Sequence, residues 1–321
     1  MSIGCQYSPP HPPTFADFHR TGPGTLEDAK KLNAQLAVFE AALFSPEDLQ
    51  RIRSKGNAHE LVGAALQSRV GDENLPALTQ EALLRGPNDP VVLTGVAKSL
   101  LREIGNGMPR ASGTPDLHVV LNALEELEPD NGLPLCVRAF LQLKKGSTNG
   151  ARQSVTAAAQ KPTLQLRGAE LRRCVIDAAM TAGYSRYTAS MLAVGTLGMS
   201  TEISIVGKQL LSDPKVDRST AEACLKLGRR HEAQAKFFID QLIAFSLQKR
   251  ALEFFNPPGF EMELQRMQEA KDQIKKATEF LDSARAHAAS ERQWLACFDT
   301  LFNKSESDAV KQLAVMLNYQ L

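Results

Sequence analysis

Few stretches of this chain combine residue types that could do chemistry. His231-Glu232-Ala233-Gln234-Ala235 begins as a zinc-holding helix would, because two histidines four residues apart share one helical face, with a glutamate between them as general base. The place of the second histidine is taken by Ala235, so the ligand pair is missing and no metal is expected. Gly183-Tyr184-Ser185-Arg186-Tyr187 offers a serine, but a nucleophile elbow needs a second glycine and a preceding strand. Ser185 is explained as a helix cap. Gly22-Pro23-Gly24-Thr25 lacks the lysine and the strand of a phosphate loop. Cys5, Cys136, Cys174, Cys224 and Cys297 contain no pair at metal-ligand spacing, and His11, His19, His59, His118 and His287 fall in separate segments. These residues assign no catalytic group, metal or cofactor.

The densest set of polar groups able to orient a ligand lies between residues 183 and 235. Tyr184, Arg186, Tyr187, Arg229, Arg230 and His231 could converge there on a small molecule, as substrate or as ligand. That is the alternative to the non-catalytic reading developed below.

The elements that would position these groups are helical. Apolar residues make up 43% of the 321 and charged residues 23%, which excludes extensive disorder, while aromatics are scarce at 6%. Alanine and leucine dominate each amphipathic run, which favours closely packed helices over sheets. The net charge of +1 supplies no field for nucleic acid or an anionic membrane. Basic pairs such as Arg172-Arg173, Arg229-Arg230 and Lys275-Lys276 read as solvated faces. Scattered, odd-numbered cysteines point to a reducing, cytoplasmic setting. The lesser alternative is export or lipid anchoring through Cys5, which follows Gly4 and precedes a proline-rich stretch. No run is apolar enough for a membrane span.

Residues 1–24 carry Pro9-Pro10, Pro12-Pro13 and Gly22-Pro23-Gly24, and read as an extended arm. Thr25 caps a helix with Leu32, Leu36, Phe39 and Leu43 on one face, and Ser45-Pro46-Glu47-Asp48 starts another that ends near Gly56. From there a period appears. Val62-Gly63, Leu66, Ala82 and Pro87 recur as Val96-Ala97, Leu100, Leu117, Leu121, Leu124 and Pro129, with Gly105 to Pro115 inserted between the paired helices. A third unit has Ala139, Ala151 and Ala158 and closes at Pro162. Each proline follows a helix end and cannot donate into a further turn.

On these positions residues 56–165 resemble tetratricopeptide repeats, whose units run to about 34 residues. The resemblance implies an all-α superhelix of helical hairpins in which the first helix of each pair lines a concave, protein-binding surface. The residues that this places on the surface are Asn57, Glu60, Thr94, Lys98, Cys136 and Phe140. The clamp by which the family holds acidic C-terminal peptides needs more Lys, Arg and Asn there than Asn57 and Lys98 provide. The expected partner is an apolar segment or another helix.

Hairpins continue past Pro162. Leu166 to Ala178 forms a helix ending at Gly183, Ser185 caps the next, and Ser200 caps a third that runs to Asp213-Pro214. The array is therefore expected over 25–215. Residues 217–321 read as a long antiparallel helical hairpin: one helix from Ser219 to Phe255, interrupted at most at Gly228, the break Asn256-Pro257-Pro258-Gly259, and a return helix to Ala288. Short helices around Trp294 to Phe302 and Ala309 to Leu317 would cap its end. Residues 219–288 also offer a homodimer surface. The expectation is a non-catalytic scaffold or adaptor binding a protein or peptide, not nucleic acid.

Overall fold

The structure, a computed structural model, describes residues 44–109, 111–196, 198–286, 290–317 and 319. The proline-rich arm, the helix capped by Thr25, and Cys5 lie outside the described residues. Within them the fold is all-α: fifteen helices and no strand, with one isolated bridge between Asn131 and Thr163. None of the described helices is long and apolar enough to cross a membrane. In chain order they are α1 (Pro46–Lys55), α2 (Ala58–Gln67), α3 (Leu75–Arg85), α4 (Pro90–Gly105), α5 (Leu117–Leu127), α6 (Leu133–Lys144), α7 (Thr148–Gln160) and α8 (Gly168–Ala182). There follow α9 (Arg186–Val194), α10 (Ser200–Leu211), α11 (Arg218–Gln234), α12 (Phe238–Phe255), α13 (Phe260–Ala286), α14 (Glu291–Asn303) and α15 (Glu306–Met316).

The boundaries fall where the prolines require. α3, α5 and α7 end at Arg85, Leu127 and Gln160, so Pro87, Pro129 and Pro162 all stand at the same offset from the last helical residue. Proline there removes the donor for another turn and pushes the preceding residue into extended backbone. Ser45 and Asp48 form a reciprocal cap at the start of α1, and Asp89 and Asp116 cap α4 and α5. The turns also hold one another. Buried Asn131 accepts through its side-chain oxygen from the N–H groups of Leu133 at 3.0 Å and Gln165 at 2.9 Å, fastening the entry of α6 to the exit of α7.

The pairs α2/α3, α4/α5 and α6/α7 pack as hairpins, with Ala97, Ala139 and Ala158 fully buried. Contacts then extend beyond next neighbours. In α2, Ala58 and every residue from Leu61 to Leu66 are buried, so the helix is apolar on all sides and needs cover on all sides. α1, α3 and α4 supply part of it, and α8 supplies the rest from far along the chain. α10 packs on α6 and α12, and α11 on α7. The first helices α2 and α6 are thus overlaid by later helices of the same chain, whereas α4 is only touched by α8.

The single helix expected from Ser219 to Phe255 is corrected to two. α11 stops at Gln234, Ala235 and Phe237 are extended, and α12 runs back against α11. No glycine or proline marks this break, because tertiary bonds hold it. The Glu306 carboxylate accepts the Phe238 N–H at 2.6 Å, the Glu306 N–H donates to the Lys236 carbonyl at 2.7 Å, and Phe237 and Phe238 are buried. Gly228 lies inside α11, against Gln248. The second break is as expected, with Asn256 in the left-handed conformation ending α12. α13 packs on α12 and α15 through Met267, Ile274, Phe280 and Ala284. α14 and α15 span about the expected residues; α15 packs on α13, while α14 packs on α8 and α9, and Arg173 ties α8 to the end of α14 through the Phe302 carbonyl and the Asn303 side chain, both at 3.0 Å.

Candidate functional site

The six first-helix residues are distributed as follows. Asn57 caps α2, accepting from the N–H groups of His59 at 2.8 Å and Glu60 at 3.2 Å. The Glu60 carboxylate accepts the Thr181 hydroxyl of α8. Thr94 is buried, its hydroxyl returned to the Pro90 carbonyl at 2.7 Å. Cys136 is buried beside α11, and burial pushes its thiol up to about 12, with Cys224 adding to the effect and Arg230 opposing it. Lys98 meets the Glu202 carboxylate of α10 at 2.7 and 2.9 Å. Phe140 is nearly covered, with the Lys144 ammonium 5.5 Å from its ring centre.

Lys98 and Phe140 line one cleft of about 450 Å³ between α4, α6 and α10. Its floor is Leu66, Leu101, Phe140 and Ile205, and its charged groups are Lys98, Arg102, Lys144 and Glu202, an excess of positive charge. Arg102 is fixed by donating to the carbonyls of Leu66 at 2.8 Å and Ala65 at 3.2 Å, which closes the end of α2. A second cleft of about 400 Å³ lies under the inserted segment, and Leu75, Leu100, Ile104, Met108 and Leu117 make it apolar. The two share the last turn of α4: Glu103 and Ile104 line one, and Arg102, Gly105 and Asn106 line the other.

The residues of the alternative ligand site have separate partners. Tyr184 meets Phe44 edge to face at 6.0 Å, and its hydroxyl is 3.5 Å from Asp48. Arg186 pairs with Asp299 at 2.6 Å, and Tyr187 packs on Phe298 at 6.0 Å. Arg229 bonds Glu263 at 2.8 Å, while Arg230 reaches the Ala158 carbonyl at 3.5 Å.

His231 alone sits in a polar cleft, of about 300 Å³, between the starts of α8 and α10 and the α11–α12 turn. Burial pushes its imidazole down to about 4, against the pull of the Asp240 carboxylate, so the ring is neutral at pH 7. Asp240 accepts the Ser200 hydroxyl at 2.6 Å. Ser200 is therefore the first residue of α10 and bonds across to α12, whereas Met199 holds the cap position. Arg172 corrects the reading of solvated basic pairs. It is 1% exposed, its guanidinium lies 3.4 Å from the Phe237 ring centre, and Nη1 donates to the Gly168 carbonyl at 3.2 Å. Burial lowers it to about 10, with Asp240 and Glu306 opposing.

Sequence reasoning missed Arg102, Lys144, Glu202, Arg172 and Asp240. The contacts of Arg102, Glu202 and Asp240 span elements far apart in the chain, whereas Lys144 meets Phe140 one turn earlier in its own helix and Arg172 lies beside Leu171 and Val175 on the apolar face of α8. Among the described residues no group of three or more His, Cys, Asp or Glu side chains is placed to hold a metal ion. Compared with protein families, with curated proteins and with solved structures, the chain matches none.

Proposed function

We propose that this protein is a non-catalytic binding module that docks a partner's peptide segment across the last turn of α4. In this reading residues 56–165 are tetratricopeptide-like units. α8 covers α2 and α10 covers α6, and partner binding is confined to the end of α4 that they leave open. The observation that carries the proposal is the pair of adjoining clefts, one apolar beneath the insertion and one apolar-floored with surplus positive charge. Exposed Ile104 and Met108 sit at the first and exposed Lys144 at the second. The fitting segment has a bulky apolar side chain for the insertion cleft and an acidic side chain for the exposed Lys144.

The test is a peptide array displaying apolar–acidic segments, read with wild-type protein and with the surface variants Met108→Glu and Lys144→Glu. Binding of a subset of such peptides, weakened at least tenfold by each variant at unchanged thermal stability, is the expected result. Equal binding by all three proteins, or capture of basic peptides instead, would overturn it.

A further inference from the structure

The polar cleft around His231 shares no residue with the two clefts at α4, and the partner-binding reading leaves its chemistry unused. His231 is 0% exposed, and neither Nδ1 nor Nε2 has a hydrogen-bond partner among the described residues. Both nitrogens of a buried ring are thus unmet at the wall of a cavity, where polar groups are ordinarily satisfied. A neutral imidazole has one donor and one acceptor, so its completion takes one acceptor and one donor.

Two poles of opposite sign border the same space. α8 opens there with Gly168, Ala169 and Glu170, and no side chain caps it, so its first N–H groups and the positive end of its dipole face the cleft. α11 ends there at Ala233 and Gln234 and presents carbonyl oxygens and the negative end of its dipole. The Asp240 carboxylate, held through Oδ1 by Ser200, brings a negative charge close to Gly168, and the buried Arg172 guanidinium on the same side partly offsets it. At the rim Arg167 is paired with Glu128 and lies 4.0 Å from Glu170, and Lys236 is exposed.

From the unmet imidazole and these two poles we propose that the cleft binds a small zwitterion, a free α-amino acid. The ligand carboxylate lies on the N–H groups at the start of α8, and its ammonium lies between Asp240 and the end of α11. His231 donates to the first and accepts from the second. The volume of about 300 Å³ suits a single amino acid and excludes a folded partner.

The experiment is calorimetry of the full chain with each of the twenty amino acids, and with acetate, methylamine and inorganic phosphate as controls. One or a few amino acids should bind with Kd below about 1 mM, and the three controls should bind at least tenfold more weakly. Ala233→Trp, at an exposed position of the mouth, should abolish binding without lowering stability, and Asp240→Asn should remove the preference for the amino acid over its des-amino analogue. Imidazole nitrogen resonances of His231 should shift on binding. Absence of heat with every amino acid, binding of phosphate or acetate as tight as that of any amino acid, or indifference to Ala233→Trp would overturn the proposal. Lys144→Glu leaves this cleft untouched, so failure here is distinct from failure of the partner-binding reading.

Discussion

A Cβ added to Gly63 of α2 would stand 2.0 Å from the carbonyl oxygen of Cys174 in α8. Two helices far apart in the chain therefore meet backbone to backbone, and this contact closes the molecule on itself. Gly63→Ala is expected to destabilise by about 3 kcal/mol, at the upper end of overpacking, because carbonyl and helix cannot yield as a flexible side chain would. Gly105→Ala, with nothing within 4 Å of the added carbon, should be neutral or raise stability by a few tenths of a kcal/mol. Urea unfolding of the two variants makes the comparison, and equal midpoints would contradict the close approach.

Lys98 and Glu202 join α4 to α10 with side chains only 14% and 10% exposed. Removing one partner leaves the other charge largely buried. Lys98→Met or Glu202→Gln alone should cost about 3 kcal/mol, whereas the double variant should cost much less than the sum. A double-mutant cycle measures this, and additive losses would show that the pair is not formed.

His231 makes stability depend on pH in one direction. Above about pH 6.5 neither the folded nor the unfolded chain protonates this ring; below it the unfolded chain takes up a proton that the buried ring refuses until about pH 4. Stability is thus lost as pH falls through that window, by about 3 kcal/mol at its end. The Asp240 carboxylate attracts the protonated ring and opposes the effect of burial without overcoming it. His231→Gln should lack this loss. Unfolding free energies of wild type and variant between pH 7 and pH 4 should converge or cross, and parallel profiles would contradict a neutral buried imidazole.

Burial pushes the thiols of Cys136, Cys174 and Cys224 up to about 12. None should be alkylated in the native protein at pH 8 over minutes, and all three should react in urea, as peptide mass spectrometry would record. Native labelling of any of them would place that helix on the surface.

Much of the helical architecture was legible because it is written locally. The offset of Pro87, Pro129 and Pro162, the cap at Ser45 and the break at Asn256-Pro257-Pro258-Gly259 are short-range signals, and they mark helix ends where the sequence puts them. The break at 235–237 was not legible, since it depends on Glu306 from another element. Nor was the cover laid by α8 over α2. Its one local trace is Gly63 inside an otherwise apolar helix, which signals close approach but not of what. For the same reason the sequence could not pair the two walls of the cleft: the resemblance put Lys98 and Phe140 on first helices, but nothing local brings Glu202 and Ile205 opposite them.

That the later helices fold over the first three hairpins, leaving a cleft between α4, α6 and α10, is tested most directly by zero-length carbodiimide coupling of Lys98 to Glu202. The pair lines that cleft with Nζ 2.7 Å from the carboxylate. A Lys98–Glu202 cross-linked peptide recovered from native monomer, and absent after unfolding in urea, is the predicted result. Recovery of other lysine–carboxylate links across the native chain without this one would contradict the account.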